Sequence, residues 1–386
     1  MSKLDHYLSP EFVREGAEKL LEATLRGETS FQFHPERLPE TVDFVLEVIR
    51  ENYPELKIPF HSRWGHFRVG GVDRLSWLKS KHAGVDAIEM ARIQFDLVIP
   101  SVLLDAGAGA SWKYHESETG QTFSRSEGLG VASFHFFNTG KLQSTADGLQ
   151  RITRSDIESA FQVSAGNPLI GIEGRTTLLN QLGRVLENKK YFKHGRVGNL
   201  VDFLIESHGK RIAAKDVLKT VLQALGPIWP GRIEFEGVNL GDIWNHSRFG
   251  LIGFHKLSQW MTYSLLEPLM EAGIEIHGVS ELTGLAEYRN GGLMIDSGLI
   301  TFQNPAAGEA AHPPSSDLIL EWRGLTIALL DLIGSDVRKK LGRTPEEFPL
   351  AKVLEGGTWW AGRKIAKLKR NSTEPPIRIE SDGTVF

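Results

Sequence analysis

Cysteine is absent from all 386 residues. Disulfides, thiolate metal sites and cysteine nucleophiles are therefore excluded. Long apolar runs are missing too. No stretch approaches the ~20 residues that span a bilayer, so no membrane partner is expected. Neither sign of charge is in excess: 44 Lys and Arg against 48 Asp and Glu leave a formal net charge of -4. The basic residues are also scattered, which gives no electrostatic ground for a nucleic-acid partner. The start, Met1 to Leu8, is polar, with no apolar core and no small-residue cleavage site, so the cytoplasm is the expected compartment. Phosphate-loop, dinucleotide, nucleophile-elbow and zinc-helix motifs do not occur. His61 and His66 lie five apart, a spacing that does not put two ligands on one helix face, and no pair among 13 histidines has metal spacing. Neither a metal nor a cofactor is expected.

What is present is an ordinary globular composition, 41% apolar and 24% charged, on a chain long enough to bury a sizeable core. Ser9-Pro10-Glu11 reads as an N-cap, a first-turn proline and a first-turn acid, followed by Val13, Ala17, Leu20 and Leu21 at helical spacing. A helix from about Thr41 ends before Pro54, and another carries Ile88 to Leu103 and stops at Gly107 and Gly109. Further helical stripes run through Leu178 to Val185, Val217 to Leu225, Leu257 to Leu265 and Leu318 to Leu332. Strand signals are short. Trp112 to Tyr114 and Gln121 to Phe123 suggest a hairpin, Arg232 to Val238 alternates, and Ile377 to Phe386 contains the turn pair Asp382-Gly383. The expected fold is mostly α, a single helical domain over 1–386 with small β-hairpins and room for two lobes, with 304–316 as a surface loop.

Six segments crowd polar, aromatic and glycine residues together without periodicity: 61–74, 104–112, 124–129, 254–260, 282–292 and 354–360. Glycine-rich turns let a ligand approach the backbone, and nearby arginine and carboxylate supply charge-assisted hydrogen bonds. Any one segment is best explained as a loop whose charges cap helices. Six in one chain favour an assembled site for a small molecule.

These stretches also carry a resemblance. SVLLDAGAGASWKYHE, TFSRSEGLGVASF, FHKLSQWMTYSLLEPL, LTGLAEYRNGGL, PLAKVLEGGTWWAGRKIA and SDGTVF resemble, nearly end to end, the family of uracil-catabolism proteins of fungi and bacteria. The resemblance implies a role in a pathway that opens the uracil ring and releases urea. A second, segmental likeness joins LTGLAEYRNGGL and FHKLSQ to the Asp-Tyr-Arg and Phe-Tyr-Lys stretches of queuosine-nucleotide N-glycosidases. It implies a helical fold related to DNA glycosylases. Here Glu287 stands where those enzymes have aspartate, and Asn290-Gly291-Gly292 where they have Val-Pro-Gln.

Together these point to an N-glycoside hydrolase that cleaves ribosylurea or its 5-phosphate. Such cleavage passes through an oxocarbenium-like state that needs a carboxylate beside C1 and an attacking water. Glu287 and Asp105 are the catalytic candidates. For the substrate, Arg125 or Arg289 can donate to the urea oxygen, Glu127 can accept from its NH₂, and Lys256 and Arg289 can meet a phosphate. Trp112 or Trp260 can stack on a planar group, and Gln259 completes the binding set. The alternatives are an amidohydrolase acting on a ring-opened pyrimidine intermediate, which would ordinarily use a metal-bound water or a cysteine, and a regulatory protein that binds a nucleotide without catalysis.

Overall fold

The computed structural model describes residues 2–105, 107–109, 111–229, 232–371 and 374–380. Helices dominate, and the described strands form only two-stranded pairs. The chain divides into two compact units of non-contiguous segments. It passes from one to the other inside the helix Lys256–Glu271, after Gln259.

The first unit is built from Met1–His61, Arg232–Gln259 and Gly278–Val385. Its opening helix, Pro10–Leu25, starts where the cap signal places it, with the Ser9 hydroxyl accepting from Phe12 N–H. Val13, Ala17 and Leu20 of this helix meet Leu320, Ile327 and Ala328 of the long helix Asp317–Leu341, together with Ile252, Phe254 and Ala286. Ala286 is therefore a core residue, and it anchors the polar residue that follows it. Arg14 fixes the same loop from the other side, donating to the carbonyls of Glu281 (2.5 Å) and Leu282 (2.9 Å) and to Asp331 (2.9 Å).

The segment 282–292, irregular by its sequence, forms a loop and then the helix Tyr288–Asp296. Its packing partner is the helix Trp359–Arg370, and Gly362 sets the approach. A Cβ at Gly362 would lie 2.2 Å from the Arg289 carbonyl oxygen. Gly362→Ala is accordingly expected to destabilise the protein by about 1–3 kcal/mol, the usual cost of overpacking a close contact. An unchanged denaturant midpoint would show that the two helices can part freely. The second of these helices is preceded by a π-helical turn, Leu354–Thr358. Such turns are rare and occur frequently at functional sites.

The second unit comprises Ser62–Gly231 and Trp260–His277. Its spine is the helix Ala87–Leu103, started by Asp86 accepting from Glu89 N–H (2.7 Å) and buried through Phe95, Leu97, Val98, Ile99 and Val102. The helix Arg125–Asn138 packs on it, although the sequence of 124–129 carries no helical stripe. Gly130 lets the short helix Arg63–Phe67 come close: a Cβ there would fall 2.7 Å from that of His66 and 3.5 Å from Arg63 Cζ. The hairpin falls at Lys113–Glu116 and Gln121–Ser124; its first strand starts one residue later than the sequence suggests, and its second starts where expected and runs one residue further. Arg211–Ala213 and Glu275–His277 pair in parallel.

One expectation needs correcting. The alternation over 232–238 yields only the two-residue strands Glu234–Phe235 and Val238–Asn239. In the C-terminal segment, Arg378–Ile379 pairs in parallel with Ala311–His312, while 381–386, with the turn pair Asp382-Gly383, lie outside the described residues.

Candidate functional site

The sequence-derived candidates fall into two groups, one in each unit. In the first unit, Glu287 is 8% exposed and is the N-cap of Tyr288–Asp296. Its Oε2 accepts from Arg289 N–H at 2.8 Å and its Oε1 from Asn290 N–H at 2.6 Å. Both oxygens are thus held by backbone donors. The Arg289 guanidinium packs against two rings, with Cζ 5.0 Å from the centre of Tyr288 and 5.1 Å from that of Trp359. Trp359 in turn lies 6.1 Å from His61, whose Nδ1 is 2.7 Å from Glu355 Oε2. Tyr53 donates its hydroxyl to Glu355 Oε1 at 3.2 Å. Desolvation, followed by the Glu355 charge, pushes the Tyr53 phenol well above its ordinary range, so it stays a donor.

Sequence reasoning singled out 61–74 and 354–360 as segments but picked no side chain from either. The missing signal was the π-helical turn, which points Glu355 at His61 and Tyr53. A helical repeat cannot forecast that turn.

Lys256 and Gln259 belong to the first turn of Lys256–Glu271. Lys256 N–H donates to Asp242 (3.1 Å), a carboxylate bound in bidentate fashion by the buried Arg323 at 2.9 and 2.6 Å. Gln259 is fully buried; its Nε2 donates to Thr283 Oγ1 at 2.9 Å, and its Oε1 lacks a hydrogen-bond partner among the described residues. His255, just before this helix, holds φ +48, a left-handed conformation that costs a non-glycine residue about 1–2 kcal/mol.

In the second unit, Asp105 lies just past the end of the spine helix, after its C-cap Leu104. Its carboxylate accepts from Arg63 Nη1 at 2.5 Å and from Ser126 Oγ at 2.7 Å on both oxygens, yet the side chain remains 14% exposed. Arg63 is fully buried and was not among the arginines chosen from sequence. Its Nε donates to Ser101 Oγ at 2.7 Å, and its Cζ stands 5.6 Å from the Trp260 ring centre. Arg125 and Glu127 are half-buried in the first turn of Arg125–Asn138, with Arg125 at φ +55. Trp112 is a core residue: it is fully buried, and its indole N–H donates to the Phe161 carbonyl at 3.0 Å.

Each unit therefore brings a pinned carboxylate next to an arginine packed on a tryptophan. A surface groove of about 690 Å³ lined by Asp43, Leu46, Glu47, Arg50, Glu51 and Lys340 contains none of these residues. Its acids are engaged by Lys340 and Lys364. Among the described residues no cluster of three or more His, Asp and Glu could hold a metal, and no helix is long and apolar enough to cross a membrane.

Comparison with known proteins matches this chain at full length. Protein urg3 of Schizosaccharomyces pombe is 42% identical over 398 residues, covering 98% of each chain. Uracil catabolism protein 4 of Lachancea kluyveri is 36% identical over 436 residues, covering 99% of each. A family profile matches residues 6–386. The Asp105, Glu287 and Glu355 segments all lie inside that match, and the chain belongs to the family described as protein of unknown function (DUF1688).

Proposed function

We propose that this protein acts in uracil catabolism as an N-glycoside hydrolase, splitting ribosylurea or its 5-phosphate into urea and the sugar. The pathway half of this reading is supported by the full-length likeness to Uracil catabolism protein 4. The chemical half is carried by one observation. The Glu287 carboxylate is buried and fixed by two backbone N–H groups, beside an arginine held between Tyr288 and Trp359.

In the reaction the C1–N bond breaks with its electron pair moving to the urea nitrogen, and positive charge spreads over C1 and the ring oxygen. A fixed carboxylate opposes that charge most effectively when it need not reorient. Water then adds its oxygen to C1, and one of its protons ends on the departing nitrogen. Glu287 is assigned to face the cation, and Arg289 to bind the polar end of the substrate. The Glu355–His61 pair, whose imidazole meets Trp359, adds a carboxylate–imidazole unit able to move a proton.

Incubating the full-length protein with ribosylurea, and separately with its 5-phosphate, tests the reading. Equal amounts of urea and reducing sugar are expected from one of the two. Ammonia without sugar would place hydrolysis inside the ureido group, and no turnover of either compound would end the glycosidase assignment.

A further inference from the structure

Among the described residues, two buried donors in the second unit have no hydrogen-bond partner: Arg63 Nη2 and Trp260 Nε1. They belong to side chains in direct contact, the guanidinium carbon lying 5.6 Å from the indole centre. Arg63 is 0% exposed and Trp260 6%. Leaving such donors unsatisfied costs free energy, more when the group is charged, so an arrangement that keeps both open calls for an acceptor.

The rest of Arg63 is committed. Nε is taken by Ser101 and Nη1 by Asp105, and the backbone N–H donates to Ser264 Oγ at 2.9 Å. The open amino group is thus held in place while its neighbours carry the structural load. His66 closes the third side, 5.7 Å from the Trp260 ring in an edge contact and 3.4 Å from Arg63 Nη1 through Nδ1.

Charge decides what kind of acceptor fits. Arg63 is balanced by Asp105 and by the nearby Glu127, while the buried Arg175 also faces Asp105. Arg175 is itself spent on the loop, donating to the carbonyls of Leu104 (3.1 Å) and Gly107 (3.3 Å). Arg63 thus already has two carboxylates as counter-charges, and its open amino group does not require a further anion. A neutral acceptor is favoured, and the partly exposed edge of Asp105 beside it can accept an N–H. A carbonyl oxygen with an NH₂ on the same carbon has that pattern of one acceptor and adjacent donors.

We propose that Arg63 Nη2 and Trp260 Nε1 form a seat for the carbonyl oxygen of a primary amide or ureido group, with Asp105 receiving its N–H. The seat stands whether or not Glu287 breaks a glycosidic bond, because it is read from binding rather than turnover.

The test uses the whole protein and the Trp260 indole N–H resonance, assigned among nine tryptophans by its disappearance in Trp260→Phe. Urea and acetamide at up to about 10 mM, far below the molar scale on which urea unfolds proteins, should move that resonance saturably. Guanidinium has the same shape but no acceptor oxygen, and should not. Arg63→Lys keeps a charge but loses the forked donor, and should weaken urea binding about 3- to 10-fold, the range for one lost hydrogen bond. Should that variant fail to fold, the contrast between urea and guanidinium in the unaltered protein still decides. Tighter binding of ribosylurea than of urea would support the seat and name a sugar-borne ureido group as its ligand. No saturable movement, the result expected if the donors bind an ordered water only, would overturn the proposal, and so would an equal response to guanidinium.

Discussion

Glu287→Gln is expected to lower turnover of ribosylurea, or of its 5-phosphate, by a factor on the order of 10² to 10⁴ with the fold intact. In barrier terms that is roughly 2.7–5.4 kcal/mol. The substitution keeps the size and one acceptor oxygen, but glutamine cannot carry the negative charge that opposes an oxocarbenium ion. A competing role is visible in the structure, because the same carboxylate caps the helix Tyr288–Asp296 through Arg289 N–H and Asn290 N–H. Losing an N-cap typically costs ~0.5–2 kcal/mol of stability. The two roles separate experimentally. A pure cap would shift the denaturant midpoint while leaving kcat of the folded protein near wild type. A catalytic anion would drop kcat at temperatures where circular dichroism shows the variant fully folded. Wild-type kcat in the variant would move the assignment to Asp105, to be tested with Asp105→Asn. If neither variant lost activity, the mechanism drawn for Glu287 would be wrong.

Glu116→Gln should cost about 3–5 kcal/mol of stability, the range for breaking a buried ion pair from one side. Glu116 and Arg74 are both fully buried and paired in bidentate fashion, with Arg74 Nε at 2.6 Å. His135 Nε2 (2.7 Å) and the Thr119 hydroxyl (2.6 Å) complete the carboxylate's shell. Desolvation alone would raise the Glu116 pKa. The hydrogen bonds from Arg74, His135 and Thr119 outweigh it and bring the group down to about 2, from an ordinary 4.5. The linkage then has a definite sign. Because the folded-state value is depressed, the stabilisation is fully present above pH ~4.5 and is lost as pH falls towards 2. The unaltered protein should therefore lose stability on acidification over that window, by an amount on the order of 3 kcal/mol from this group. In the variant this part of the acid dependence should vanish. The quantity to follow is the urea midpoint between pH 2 and 6. A variant with an unshifted midpoint at pH 6 would mean that Arg74 finds other acceptors. The nearest are the carbonyls of Phe67, Val69 and Val72, which it already reaches.

Most of the helical skeleton was legible in the residues because helix formation is local. Ser9 and Pro10 start Pro10–Leu25, and the apolar repeat of 88–103 runs the length of Ala87–Leu103. The helices Arg125–Asn138 and Tyr288–Asp296 were not legible, since their first turns carry glycine, serine and charge in place of an apolar stripe. They are held by what packs on them. Gly130 admits the helix of Arg63, and the approach of Trp359–Arg370 at Gly362 covers Arg289.

The candidate residues divide in the same way. Asp105, Glu287, Arg289 and Trp260 stood out because each lies in a glycine-flanked or polar break in the sequence pattern. Arg63, His61, Glu355 and Trp359 stood in singled-out segments, but nothing local marked them above their neighbours. Arg63 gains its meaning from Asp105 and Trp260, and Glu355 from Tyr53 and His61. Composition by itself ruled out cysteine chemistry, and periodicity by itself established a helical protein, because both depend only on residue type and spacing along the chain. Which carboxylate meets which arginine, and which buried donors lack a hydrogen-bond partner among the described residues, was decided by tertiary structure. Those pairings join positions such as Arg63 and Trp260, whose distance in space has no relation to their separation in sequence.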